Sequence, residues 1–509
     1  MNWLRHASIL AAVLACEAAA AGTLPTDPET RAWWSITAAL SGDAMQGRDT
    51  GSAGYERAAR LVADRFAAAG LTPMGERGGW FQNVPMDEIR LERAAVTVGR
   101  RPLKLLYDVF VSPTESTPAS VDAPLAYRGY CAADVLGDVR GKLVVCHGTR
   151  RGELTSAAQR EAAVKAAGGV GIVSIADPGF AVEPPRWPFA YARSVSLAGA
   201  NHAVDPFLRI TLNADALKTV LGKDRQHDAA TLIADGSKGA PLPSFELGER
   251  LHAVFTTTRR QIVSPNVIAL LPGSDPSMAG QAIVLSAHLD GYGYGTPVGS
   301  DRLYNGTLDD AAYVALLIQL AEQRKGQGYR RPVLFIAWTG EEKGLLGSEW
   351  FVAHPTVPLS RMAANINLDQ LRPIFPLELL TVHALDDTTL GDDVRAVTAS
   401  MGIAVQRDPE PERNLLRRSD QWNFLKAGIP ATAFVFGYRP GTPSERIYRE
   451  WYRTGYHKPQ DDLNQLMDWK AAADFNRFFR ELVARVADQP ATPAWKAGSA
   501  LAPKGPKGP

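Results

Sequence analysis

Five short apolar runs in the second half of the chain leave few folds open. Ile283–Ala287, Val333–Trp338, Ala364–Leu368, Leu379–His383 and Thr432–Phe436 are each five or six residues long, with helical stretches among them. Continuously apolar runs of that length read as strands buried on both faces, and strands joined through helices imply a mostly parallel sheet covered on both sides. The stretch Asp310–Arg324 shows the helical half of the pattern. Its Ala311, Val314, Ala315, Ile318 and Ala321 form a stripe able to pack on such a sheet. The expected fold class is α/β, with a mixed, mostly parallel sheet and helices on both faces.

In an open sheet of this kind, ligands gather beyond the carboxyl ends of the strands. Here those ends carry acids and imidazoles. Ile283–Ala287 runs into His288-Leu289-Asp290, Val333–Trp338 into Thr339-Gly340-Glu341-Glu342, and Ala364–Leu368 into Asp369. Asp309-Asp310 opens the helix that follows the first of these strands, with Asp310 reading as its N-cap, and His457 lies in the loop Tyr456-His457-Lys458-Pro459. Carboxylates brought together in a cleft repel and raise each other's pKa, and a pair of divalent ions removes that conflict. The residual positive charge of such a pair suits a bridging hydroxide. Nitrogen and oxygen ligands without thiolate favour zinc, with manganese or cobalt as alternatives.

The joint pattern resembles the M28 family of zinc aminopeptidases. The residues that carry the resemblance are His288-x-Asp290, Asn305-Gly-Thr-Leu-Asp309-Asp310-Ala311, Trp338-Thr-Gly-Glu341-Glu342-x-Gly-Leu-Leu-Gly347-Ser348, Asn367-Leu-Asp369 and Tyr456-His457-x-Pro-x-Asp461. Ser419-Asp420 with Phe424 and Gly428-Ile429-Pro430 adds to it, as does Gln46-Gly47-Arg48 with Gly51 and Tyr55. The resemblance implies a zinc exopeptidase fold holding two Zn2+ ions. His288 and Asp369 would hold one ion, Glu342 and His457 the other, and Asp309 would bridge them. Glu341 would be the general base toward a water between the ions, and the Asp290 carboxylate would hydrogen-bond His288 and fix its tautomer. The chain departs from the family where Ala312-Tyr313 replaces Ser-Gly and Gln421 replaces a histidine. Neither position is a family ligand, so both are expected to affect packing or pocket shape.

The rest of the chain divides around this core. Residues 1–22 read as an export signal: Arg5, then the apolar run Ala7–Ala15, then small residues with cleavage near Ala21 or Gly22. Val13-Leu14-Ala15-Cys16 loosely resembles a lipoprotein box, a minor alternative for anchoring. The mature protein is then periplasmic or released. Residues 23–105 read as the N-terminal part of the peptidase domain, with a helix over Tyr55–Ala69 and strands at Phe81–Pro85 and Ala95–Val98. Residues 106–247 change texture to a small β-rich block. Its Arg140-Gly141-Lys142-Leu-Val-Val strand and its Ala163–Ile172 helix-Gly-Gly-strand resemble the protease-associated domain. Cys131 and Cys146 lie on neighbouring strands of that block, either bridged or as two buried thiols. Residues 248–489 are the catalytic domain. Residues 490–509, rich in Ala, Pro, Gly and Lys, are expected to be disordered.

With a formal net charge of +1 and no basic stripe, the chain carries no nucleic-acid signal, and no mature segment is long enough to span a bilayer. The expected partner is a peptide substrate, and nothing in the pattern sets an oligomeric state. Carboxypeptidase or dipeptidase action on the same site is the nearest alternative, and a guanidinium cluster facing it would favour that reading. Glutaminyl cyclisation uses one zinc in this fold, and a receptor-like binding protein would have lost ligands. The intact set from His288 to His457, with Glu341, argues against both. His354 and His383 read as loop or core histidines, and His147, His202, His227 and His252, in or near the β-rich block, are expected to have no carboxylate partner at ligand spacing. Tyr292, Tyr294 and Tyr304 read as pocket or packing aromatics, and Arg418 as a contact for a substrate carboxylate or a partner of Asp420.

Overall fold

The computed structural model describes residues 24–149, 151–178, 187–200, 205–369 and 371–503. The expected export segment, with Cys16, and His202 lie outside the described residues. Two capped helices open the described chain. In α1 (Pro28–Ser41) Asp27 accepts from Thr30 N at 2.7 Å, and in α2 (Ala53–Ala68) Ser52 accepts from Tyr55 N at 3.1 Å. Each such cap contributes about 1 kcal/mol. The main elements that follow are β1 (Phe81–Val98), β2 (Ser120–Arg128), β3 (Leu143–His147), α3 (Ala157–Ala166), β4 (Gly171–Ile175), β5 (Arg193–Leu197), β6 (Leu208–Leu212) and β7 (Ser244–Leu271). The second half adds β8 (Ala282–His288), α4 (Ala312–Gln323), β9 (Val333–Trp338), α5 (Leu346–Ala353), β10 (Met362–Leu368) and β11 (Leu379–His383). It ends with β12 (Ala431–Phe436), α6 (Pro443–Thr454) and α7 (Trp469–Asp488).

Across the second half the strands lie in the order β11-β12-β10-β8-β9-β7. The central pairs β12–β10, β10–β8 and β8–β9 are parallel, and β11 and β7 flank them antiparallel. Side-chain alternation splits each central strand between two cores. Ile283, Leu285, Phe335 and Ala337 pack with α1, α2, α4 and α7, whereas Val284, Leu334, Ile336 and Trp338 pack with Phe351 of α5 and Phe424 on the other face. This is the mixed, mostly parallel α/β sheet that the apolar runs predict. Among the described residues, no helix is long and apolar enough to cross a membrane.

Strand β7 is 28 residues long and joins this sheet to the β-rich block. Its start pairs with β2, its middle with β1, and its end with β9. Of the positions taken as boundaries, 247 therefore falls inside β7, and 106 lies in a turn after β1. The core of the block takes Leu91, Val96 and Val98 from before one boundary and Leu251, Ala253 and Phe255 from after the other. β1 reads as two strands in sequence because Glu88, Arg90, Glu92 and Arg93 interrupt its apolar pattern. Glu88 is buried, and Arg193 of β5 and Arg260 of β7 bind it from neighbouring strands. Cys131 and Cys146 are joined by a disulfide. Closing a loop of this size stabilises a fold by about 3 kcal/mol.

The disorder expected from residue 490 does not hold for the described part, which reaches Pro503. Trp495 Nε1 donates to Gly428 O at 2.8 Å, and Trp495 and Leu501 pack against the core under α5. Buried Arg331 donates to the carbonyls of Gln489, Pro490 and Ala491. A low-complexity composition hid one tryptophan and a run of backbone acceptors, which suffice to dock the segment.

Candidate metal centre

The site lies where β8, β9 and β10 end. His288 is the last residue of β8, Asp369 follows β10 directly, and Glu341–Lys343 form a short 3-10 turn after β9. Asp309 sits in a π-helical turn, Thr307–Ala311, that leads into α4. Asp461 fixes this turn by accepting from Leu308 N at 2.9 Å and Asp309 N at 3.1 Å. Arg48, fully buried, donates to Leu289 O, Asn305 O and Gly306 O at 2.7–2.8 Å, tying the loop before α2 to both site loops. Gly47 beside it has φ +66°, and a Cβ there would meet Tyr304 O at 2.3 Å, so only glycine fits.

These elements bring all five expected ligands together around Asp309. One oxygen of Asp309 lies 3.2 Å from His288 Nε2, which in turn is 3.7 Å from Asp369 Oδ1. The other oxygen lies 3.5 Å from His457 Nε2, which is 3.6 Å from Glu342 Oε2. The aspartate thus faces a histidine–carboxylate pair on each side. His457 is reached from the loop between α6 and α7 and has φ +52°. Its ring stacks on Tyr456 at 3.6 Å and meets Tyr292 edge-on at 4.4 Å.

The ligand chemistry fits divalent ions. Asp309 Oδ2, Glu342 Oε1, Asp369 Oδ2 and Asp310 Oδ1 are buried without a hydrogen-bond partner, which is costly for carboxylates unless a cation faces them. Two trios, His288/Asp310/Asp369 and His288/Asp309/Glu342, have ligand atoms all within 4.8 Å of one another. Burial opposes charge on His288, but Glu341, Asp309, Asp369 and Asp310 outweigh it and hold its pKa well above the usual value. Burial pushes Glu341 well above the carboxylate range, and lifts Glu342 to about 7 with Asp309 adding to the effect. A site that resists accumulating negative charge this strongly is one that a cation stabilises.

Three expectations are corrected. The Asp290 carboxylate does not hold His288: the His288 Nδ1–H faces the Asp290 backbone carbonyl at 3.0 Å, and the nearest carboxylate oxygen is 3.9 Å away. That carboxylate instead accepts from Thr50 Oγ1 at 2.8 Å and from the backbone N–H groups of Glu341 and Glu342 at 3.1 and 3.3 Å. Asp290 therefore positions the Glu341–Glu342 turn. Asp310 does not cap α4, which starts at Ala312 without a side-chain cap; it is buried and accepts from His288 N at 3.3 Å. His147 and His227 do have carboxylate partners, Asp177 at 3.6 Å and Asp224 at 2.8 Å, but both pairs lie in the β-rich block away from the site.

The departures from the family pattern are structural. Gln421 accepts from Asn367 Nδ2 at 3.0 Å and donates to Leu416 O at 3.0 Å, and Tyr313 packs against Phe475. Of the aromatics, Tyr292 lines the site cavity, Tyr304 is buried with its hydroxyl on Thr296 O, and Tyr294 is exposed. His354 stacks on Trp350, and His383 is buried within β11.

Several site residues carry no signal in the sequence. Arg372 is buried over the Trp451 ring at 4.3 Å, with its guanidinium 3.9 Å from Asp309 Oδ2. Tyr191 and Arg417 line the cavity, of ≈ 420 Å³, together with Tyr292, Glu341, Glu342 and Arg418.

The family described as Peptidase family M28 matches residues 266–483. Leupeptin-inactivating enzyme 1 of Streptomyces exfoliatus is 26% identical over 298 residues, which cover 55% of this chain and 62% of that protein. The alkaline phosphatase isozyme conversion protein of Escherichia coli (strain K12) is 30% identical over 216 residues, covering 38% of this chain and 61% of that protein. Each match spans less than two thirds of the relative. Among solved structures, BSAP, a zinc aminopeptidase from Bacillus subtilis, superposes with a TM-score of 0.60 at 17% identity over 92% of this chain and 97% of that one. An aminopeptidase from Aneurinibacillus sp. strain AM-1 gives 0.58 at 19% identity over 91% and 95%. The two structures share the fold, and residues 266–483 match the model of peptidase family M28.

Proposed function

We propose that this protein is an exported two-zinc exopeptidase that removes N-terminal residues from peptides. The observation that carries the reading is Asp309, whose two oxygens each face a separate histidine–carboxylate pair. In this reading His288 and Asp369 hold one ion, His457 and Glu342 the other, and Asp309 both. Two zinc ions, when bound, supply the Lewis acidity that activates water and polarises a scissile carbonyl. The chain's own part falls to Glu341. It lines the cavity beside the ligands, where a carboxylate would take a proton from the attacking water and return it to the leaving amine. Asp290, through the backbone of Glu341 and Glu342, keeps base and ligand in register. The 106–247 block is read as an inserted protease-associated module, and residues 1–22 as the export signal.

A second reading, dipeptidase or carboxypeptidase action, is favoured by one observation. Arg417 and Arg418 line the same cavity and could pair with a substrate carboxylate. A panel of aminoacyl, dipeptidyl and N-terminally or C-terminally blocked substrates separates the two, with metal stripped and then restored. Hydrolysis that needs a free amine, tolerates a blocked carboxyl end and disappears on stripping supports aminopeptidase action. Dependence on a free carboxylate supports the second reading, and activity that survives stripping overturns both.

A further inference from the structure

The two candidate histidine ligands are oriented by different parts of the molecule. His288 Nδ1 faces the carbonyl of Asp290, two residues along its own chain. His457 Nδ1 faces the hydroxyl of Tyr191 at 3.1 Å. Tyr191 belongs to the 106–247 block and, among the described residues, is the only member of that block lining the site cavity. An imidazole that offers Nε2 to a metal carries its proton on Nδ1 and needs an acceptor there, and such partners fix both tautomer and ring angle.

We infer that Tyr191 is a positioning residue for the ion on the His457–Glu342 side, so that the inserted block completes one half of the metal centre. This rests on the two-ion reading above. The surroundings of Tyr191 are built to hold it still. It lies in a short turn, Phe189–Ala192, clamped at both ends. Before the turn, Trp187 is buried, its carbonyl accepts from Thr296 Oγ1 at 2.9 Å, and Pro188 pairs with Gly295. After it, Arg193 is gripped by Glu88 and by Asp49, the latter at 2.5 Å. The Tyr191 ring itself packs edge-on against Phe110 at 5.4 Å and Tyr292 at 5.4 Å. The first clamp reaches from the block to the catalytic domain and the second to residues 23–105, so the hydroxyl is delivered only when the block is seated.

Tyr191→Phe tests this, because it keeps the ring contacts and removes only the hydroxyl. Zinc affinity of the metal-stripped, full-length protein is read by competition with a chelator of known affinity, for both ions. The wild type is expected to bind two ions. Y191F is expected to bind one as tightly as the wild type and the other about 10- to 100-fold more weakly. In the double variant with Glu342→Ala, which already removes that side, Y191F is expected to weaken the remaining ion no further. Unchanged affinities in Y191F would mean that Tyr191 only packs, and equal weakening of both ions would mean a general disturbance; either overturns the inference. A wild type that binds fewer than two ions is the separate failure of the two-ion reading.

Discussion

Asp461 and Glu341 do opposite kinds of work at the site, and variants separate them. Asp461 ligates nothing but accepts from two consecutive backbone N–H groups, so it fixes where Asp309 points. Asp461→Ala is predicted to lower zinc affinity at least 10-fold, as read by chelator competition, with a parallel loss of activity. Glu341→Gln is predicted to keep both ions while kcat falls by about 10²- to 10⁴-fold. Metal analysis and steady-state kinetics check the pair, and a variant with normal turnover would assign the base elsewhere. The candidate ligands stand out in the sequence because each sits at a strand end or in a recognisable loop. The role of Asp290 was misread because its carbonyl and its carboxylate both lie near His288 or its neighbours, and only geometry tells them apart. Tyr191 was not legible at all: its meeting with His457 depends on a fold-back across 266 positions.

At the scale of elements, the β1–β7 ribbon is held by a buried charge. Glu88 accepts from Arg193 and Arg260, and despite burial these guanidinia depress its pKa to about 2. A carboxylate whose folded pKa is depressed stabilises the fold above its unfolded pKa, and that contribution is lost as pH falls toward the folded value. Glu88→Gln is therefore predicted to cost about 3 kcal/mol near pH 7, the scale of breaking a buried pair. The deficit relative to wild type should shrink as pH falls from about 4.5 toward 2. Denaturant melts at several pH values measure it, and a deficit independent of pH would rule out the ionic origin. The sequence disclosed the central strands through their apolar runs. It concealed the ribbon, because a strand laced with salt bridges has the composition of a loop.

For the whole molecule, the C-terminal segment is a structural part rather than a tail. Removing residues from Pro490 onward takes away carbonyl partners of buried Arg331 and the Trp495 contact. Truncation after Gln489 is predicted to cost at least about 1–3 kcal/mol, visible as a lowered Tm, because a buried donor is left unsatisfied. An unchanged Tm would show that the segment contributes nothing.

The proposed function turns on two ions sharing Asp309. The measurement that bears on it most directly is a zinc titration of the metal-stripped protein, followed by hydrolysis of a free-amine aminoacyl substrate at each point. Two ions per chain are predicted, with activity complete only when the second is bound, and with Asp309→Asn weakening both. One ion per chain, or full activity in the stripped protein, would contradict it.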